Sequence, residues 1–108
     1  MGRTISSPTE SRASVAVTST HSAASGEILL IDTTGGSEFT ITLPASPRIG
    51  DRINLLDVAG NCGNTKAVIA RNGNKIANIA DDLDFDIKNT SLELYYTGSS
   101  YGWSILSN

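Results

Sequence analysis

From Glu27 onward the chain alternates apolar and polar side chains with a period of two, and no segment holds a sustained i, i+3, i+4, i+7 apolar stripe. That pattern predicts strands and little or no helix. Ile28-Leu29-Leu30-Ile31 is a continuous apolar run, which fits a strand buried on both faces. Residues 32–37 (DTTGGS) read as a turn. Phe39, Ile41 and Leu43 then alternate with Glu38, Thr40 and Thr42, so the first set faces a core and the second faces water. Pro44 and Pro47 lack the N–H that a ladder needs, and Gly50-Asp51 restarts the chain into a strand over residues 51–58. Residues 59–65 form a Gly- and Asn-rich loop. Residues 66–70 form the next strand, and Asn72-Gly73, both tolerant of positive φ, predict a hairpin turn with a return strand over residues 75–79. Leu83, Phe85 and Ile87 alternate with Asp84 and Asp86; Leu92, Leu94 and Tyr96 alternate with Glu93 and Tyr95. A turn at residues 98–100 and a last strand over residues 103–106 complete the pattern. The expected fold is all-β: roughly seven to nine short strands, with turns about every 8 to 12 residues, in a compact antiparallel sandwich or barrel-like module.

The beginning of the chain reads differently. No aromatic residue occurs before Phe39, and residues 1–27 are rich in Ser and Thr. Ile5 is the one apolar side chain of any size in residues 1–13, which also carry Pro8, while Val15 and Val17 alternate with small polar residues in a weak strand signal. The division expected is an extended arm over residues 1–27 and a β module over residues 28–108. Such an arm buries too little apolar surface to build a core. Ile5, Pro8, Val15 and Val17 are therefore expected to contact a partner, by adding to a foreign sheet edge or filling a groove.

Size sharpens that expectation. The chain has 108 residues, room for one domain. Without the arm about 75–80 residues remain, a length at which a lone β domain is marginal. Two Phe, three Tyr and one Trp are few large side chains for its core. Partner subunits that bury what one chain cannot would relieve the shortage. Net charge is −3 and the eight basic residues never adjoin, so no stripe exists to track phosphates and nucleic acid is not an expected partner. With no apolar run of about 18 residues, no transmembrane helix is expected, nor a membrane partner. The start, MGRTIS, has no apolar h-region; it fits the short myristoylation pattern, and Asn89-Thr90-Ser91 fits the glycosylation sequon, both degenerate signals.

Reactive chemistry is sparse. Cys62 is the single cysteine, so no intrachain disulfide forms, and its Asn61 and Gly63 neighbours place it in a loop as a small structural residue. His21, the single histidine, lies in the polar segment and lacks the surroundings of a general base. Asp82, Asp84, Asp86 and Glu93 fall at positions 1, 3, 5 and 12 of a calcium-loop pattern, yet Ile87 stands where that loop needs glycine and no helices flank it. Read as a strand, Asp84 and Asp86 share a solvent face, where repelling carboxylates oppose edge-to-edge aggregation. Tyr95, Tyr101 and Trp103 could form an aromatic patch; the alternation points Tyr95 outward and Trp103 fits a core. No enzyme activity, cofactor or metal is expected.

From Phe39 to Leu106 the sequence resembles a module found in virion proteins of tailed bacteriophages. The resemblance is carried by an ordered set: the TLP strand end at residues 42–44, the GD restart at 50–51, the D-x-x-G-N loop at 57–61, the R-N-G turn at 71–73, and the final L-x-Y-x-G…GW strand from Leu94 to Trp103. It covers about two-thirds of the chain and leaves the first 27 residues outside. It implies a β-rich, trimeric structural module of tail fibres, spikes and head-surface proteins, without enzyme activity. Because the module is nearly the whole chain, a head decoration (cement) protein is expected: a homotrimer on the capsid exterior, bound to the major capsid protein lattice through the arm. The other reading is a tail-fibre or head-fibre module in which Tyr95 or Tyr101 contacts a host-surface glycan.

Overall fold

The computed structural model describes residues 13–107, and Ile5 and Pro8 of the expected arm lie outside them. Nine strands occur among the described residues: β1 (Ala13–Val17), β2 (His21–Ser22), β3 (Glu27–Ile31), β4 (Phe39–Thr42), β5 (Arg52–Asp57), β6 (Ala67–Ala70), β7 (Leu83–Phe85), β8 (Ser91–Tyr96) and β9 (Trp103–Ser107). They form a five-stranded sheet, β1-β3-β5-β8-β9, and a four-stranded sheet, β2-β4-β6-β7. The protein is compact and all-β, as the period of two predicted.

The strand directions correct the antiparallel expectation. β1, β3 and β5 run parallel, as do β2, β4 and β6. Only β7, β8 and β9 turn back antiparallel to their neighbours. The cause lies in the connections. Each turn from β1 through β6 crosses the gap between the sheets instead of folding a strand back on itself. Strands two apart in the chain thus become neighbours in one sheet, pointing the same way. Side-chain alternation fixes the face a residue takes, and it is silent on which strand lies alongside.

The two inner faces supply the core. Leu29, Ile31, Ile53, Leu55, Leu94 and Trp103 of the larger sheet pack with Ile41, Ala67, Ile69 and Phe85 of the smaller, each at most 2 % exposed. Each large side chain so buried contributes roughly 1.5–3 kcal/mol. The Ile28–Ile31 run is buried on one face only: Leu29 and Ile31 are buried, whereas Ile28 and Leu30 remain half-exposed on the outer face of the sheet. β7 ends at Phe85, and Ile87, expected to continue its inward row, is 65 % exposed.

Part of the expected arm belongs to the sheets. β1 pairs in parallel with β3 from Ala13↔Glu27 to Val17↔Ile31. Val17 is 2 % exposed within the core of its own chain, and Val15 packs against that core. Residues 13–27 thus contribute β1 and β2 to the two sheets.

The hairpin at Asn72-Gly73 also takes an unexpected course. The turn forms, with φ of 51° and 90° at these two residues and the Asn74 N–H donating to the Arg71 carbonyl at 3.2 Å. The chain beyond it does not return along β6, because that position belongs to β7 through Ala67↔Phe85 and its neighbours. It crosses instead to the start of β9, where the Trp103 N–H donates to the Lys75 carbonyl at 2.8 Å and the Ala77 N–H to the Trp103 carbonyl at 2.6 Å. A second tight turn follows, with Ala77 and Asn78 at φ 53° and 62° and reciprocal 3.0 Å bonds between Ile76 and Ile79. Alanine rarely takes that conformation, so Ala77-Asn78 is a weak turn signal beside Asn72-Gly73.

The crossing explains the GW pair. At Gly102, φ is +75°, and an added Cβ would stand 2.0 Å from the Lys75 carbonyl oxygen. Only glycine lets the two backbones approach so closely. Gly35, by contrast, has nothing within 4 Å of its Cβ position. Gly102→Ala is expected to lower the melting temperature by about 10 °C or more and Gly35→Ala by no more than about 2 °C, on thermal unfolding followed by circular dichroism. Equal shifts would refute the close-approach account.

Candidate functional surface

The most heavily bonded polar group inside the protein is the carboxylate of Asp57, 5 % exposed at the end of β5. Its Oδ1 accepts from the Asn61 N–H at 3.1 Å, and its Oδ2 accepts from the N–H groups of Cys62 at 3.1 Å and Asn89 at 2.9 Å. Asn61 Nδ2 donates in turn to the carbonyl and hydroxyl oxygens of Thr33, at 2.9 and 3.2 Å. Burial alone would push the Asp57 pKa up; the N–H groups of Asn89, Cys62 and Asn61 and the Cys62 thiol together outweigh it and hold the carboxyl below its ordinary value. The Cys62 thiol is pushed up to about 12, by burial first and then by the adjoining Asp57 carboxylate. A thiol so held is inert at neutral pH, which fits the structural role read from its loop. This knot ties three loops together and presents no open coordination or reaction site.

The other titratable candidates are also tied up or dispersed. His21 Nε2 lies 3.0 Å from Glu27 Oε1, and the same oxygen accepts the Ala24 N–H at 2.9 Å, closing the turn between β2 and β3. Asp82 accepts the Arg71 N–H at 2.9 Å, and Asp84 pairs with Lys66 at 3.2 Å, an ion pair that raises the Lys66 pKa. Glu93 stands on β8 in the opposite sheet, 4.0 Å from Arg52. The calcium-like spacing of Asp82, Asp84, Asp86 and Glu93 is thus split between sheets, and among the described residues no group of three or more His, Cys, Asp or Glu side chains is placed to hold a metal ion.

The aromatic candidates separate in the same way. Trp103 is fully buried and meets Tyr96 edge to face, with ring centroids 5.2 Å apart. Tyr95 is half-buried on the outer face of the larger sheet, where the Arg52 guanidinium sits 5.3 Å from its ring centre. Tyr101 is 62 % exposed in the turn before β9.

The surface that periodicity could not reveal lies where both sheets end. β7 closes the smaller sheet and β9 the larger; among the described residues no strand pairs with the outer edge of either, and the Lys75–Ala77 crossing covers that of β9 only at Trp103. Two apolar hollows meet at Leu83 of β7. The first, of about 190 Å³, is lined by Ile76, Ala77, Ile79, Leu83 and Ile105, with Asp81 and Asp82 beside them. The second, of about 110 Å³, runs on along Phe85, Ile87, Thr90 and Leu92, with Asp84 and Asp86. Ile79 is 56 % exposed and Ile105 36 %, so among the described residues nothing covers this end of the core. The four aspartates are exposed. An apolar groove between two free strand edges, rimmed by carboxylates, is suited to taking an extended chain segment. Of the expected contact residues, Val15 and Val17 lie on β1 at the far end of the larger sheet, and neither Tyr95 nor Tyr101 lines this groove.

No protein-family model matches the sequence, and no curated protein is significantly similar to it.

Two measurements check the buried knot. Because the folded-state pKa of Asp57 lies below its unfolded value of about 3.9, its stabilisation is complete above that pH and fades as pH falls through the folded pKa. Asp57→Asn is therefore expected to cost roughly 2 kcal/mol in urea unfolding at neutral pH, with the gap to wild type narrowing on acidification to about pH 2. A gap that stays constant with pH would contradict the charged knot. A thiol reagent is expected to modify Cys62 only as the protein unfolds; rapid labelling of the native protein would show the thiol is not held as described.

Proposed function

We propose that this chain is a non-enzymatic structural protein of the bacteriophage head exterior, a decoration protein that assembles as a homotrimer and binds the capsid lattice through the residues preceding β1. The observation that carries the reading is the open β7–β9 end: two free strand edges flank an apolar groove, a surface made for a chain partner. The polar groups support it by what they do. Asp57, His21, Asp82 and Asp84 each brace a turn or a neighbouring side chain.

The features behind the phage resemblance have the same character. Leu43 of the TLP strand end is 1 % exposed, the D-x-x-G-N loop is the Asp57 knot, and the GW pair is the crossing at Lys75. These are folding devices, consistent with a shared architecture in place of a shared reaction. A decoration protein works by mass action: whatever binds only the assembled shell stabilises that shell against disassembly.

The test is co-sedimentation with phage heads stripped of this chain, comparing the full protein with a variant lacking residues 2–12, which keeps β1. The full protein is expected to sediment with the heads, and the shortened one to bind at least about tenfold more weakly while unfolding at the same temperature. Full-length protein that stays in the supernatant would sink the decoration reading; equal binding by both would remove the anchoring role of the segment before β1.

A further inference from the structure

We infer that the β7–β9 end of one copy receives the β1–β2 end of a second copy, head to tail, with β1 of the incoming chain along the free edge of β9. The inference rests on the self-assembly in the proposed function and not on the capsid.

Strand direction is the first reason. β8 opposes β5, and β9 opposes β8, so β9 runs the same way as β5, β3 and β1. A second copy displaced along the row of strands, without being turned over, brings β1 parallel to β9. That is the kind of pairing by which β1 already joins β3.

The faces match as well. Val15, Leu29, Leu55 and Leu92 occupy one row across the inner face, and Ile105, paired with Leu94, lies on that same face. In the displaced copy Val15 would arrive on the groove side of β9, over Ile105 and Leu83. The open β7–β9 end of one core would then be covered by β1 of the next copy.

Neither edge is guarded. β1 reads ASVAV and β9 reads WSILS, with no charge and no proline in either. Natural sheets blunt their exposed edges with such residues; the Lys75–Ala77 crossing covers β9 only at Trp103, and the bare remainder of that edge and the bare edge of β1 are both open to pairing.

Charge selects the partner. Asp81, Asp82, Asp84 and Asp86 place four of the chain's eleven acidic residues along the groove. Arg12 immediately precedes β1 in the sequence, and residues 1–12 carry two basic residues, Arg3 and Arg12, and one acidic residue, Glu10. The segment leading into β1 therefore has a net positive charge where the groove is acidic. Two grooves meeting face to face would oppose like charges, which disfavours a symmetric dimer through that surface. The contact is heterologous, and three copies close into a ring through it when each is also rotated by about a third of a turn about an axis along the strands, which leaves β1 and β9 parallel.

Sedimentation velocity on the protein alone tests the inference, using Ile105→Lys to block the groove end and Val15→Lys to block the β1 end. Wild type is expected to be a trimer and each variant a monomer with an unchanged near-ultraviolet dichroism spectrum. An equimolar mixture of the two is expected to give a one-to-one dimer, since each variant keeps one intact end. Should Val15→Lys fail to fold, Arg12→Glu serves as the second variant. Monomeric wild type, single variants that associate as wild type does, or a mixture of folded variants that stays monomeric would each overturn it. No capsids are involved, so failure here leaves the co-sedimentation result standing, and the reverse.

Discussion

The buried carboxylate of Asp57 is the interaction on which the sandwich depends. An ionised group at 5 % exposure is tolerated only when its lone pairs are filled, and here backbone N–H groups from two loops fill them. Its own N–H donates to Thr90, and Asn61 carries the network to Thr33. The ends of β3 and β5 and the approach to β8 are thereby held at one point. The three strands reach that point from different parts of the chain. The anchor works only while the carboxylate is charged, which ties the fold to pH in a way an apolar plug would not.

Around that anchor the chain winds as an open stack. Six strands go alternately into one sheet and the other, each pair extending the stack by one layer, and the last three double back. Such an arrangement buries its interior well in the middle, at Leu29, Leu55 and Ile69, and poorly at the β7–β9 end, at Ile105 and Ile79. Stacked β architectures in general need their end layers capped. Incomplete ends are a liability for a monomer and an interface for an assembly. The proposals of self-association and of a capsid-bound role both start from that geometric fact.

Much of this was legible in the sequence. Alternation placed Phe39, Ile41, Leu43, Leu94, Tyr96 and Trp103 toward a core, and all of these except the half-exposed Phe39 are buried. The Asn72-Gly73 turn lies where its backbone preference put it. The return strand after it, the inward Ile87 and the antiparallel order were misread for one shared reason. Each depends on which segment occupies the neighbouring lane, and β7 occupies the lane beside β6. The weak alternation at Val15 and Val17 does not name its neighbour, because nothing local shows that β3, ten or more residues away, offers these residues a parallel edge. The knot was present only as a loop composition, with Asp57 and Cys62 carrying no sign that they meet.

By itself the sequence determined the class of structure. A period of two over short segments, with turn residues between them, specifies an all-β chain, because those properties are local and additive along the chain. Only the tertiary structure decided which strands are neighbours, that β9 points the same way as β1, and that Leu83, Ile105 and four aspartates surround one groove. Those are relations between residues far apart in the chain. They are set by how turns span the gap between two sheets and by which edge is free when a strand arrives, and periodicity records neither.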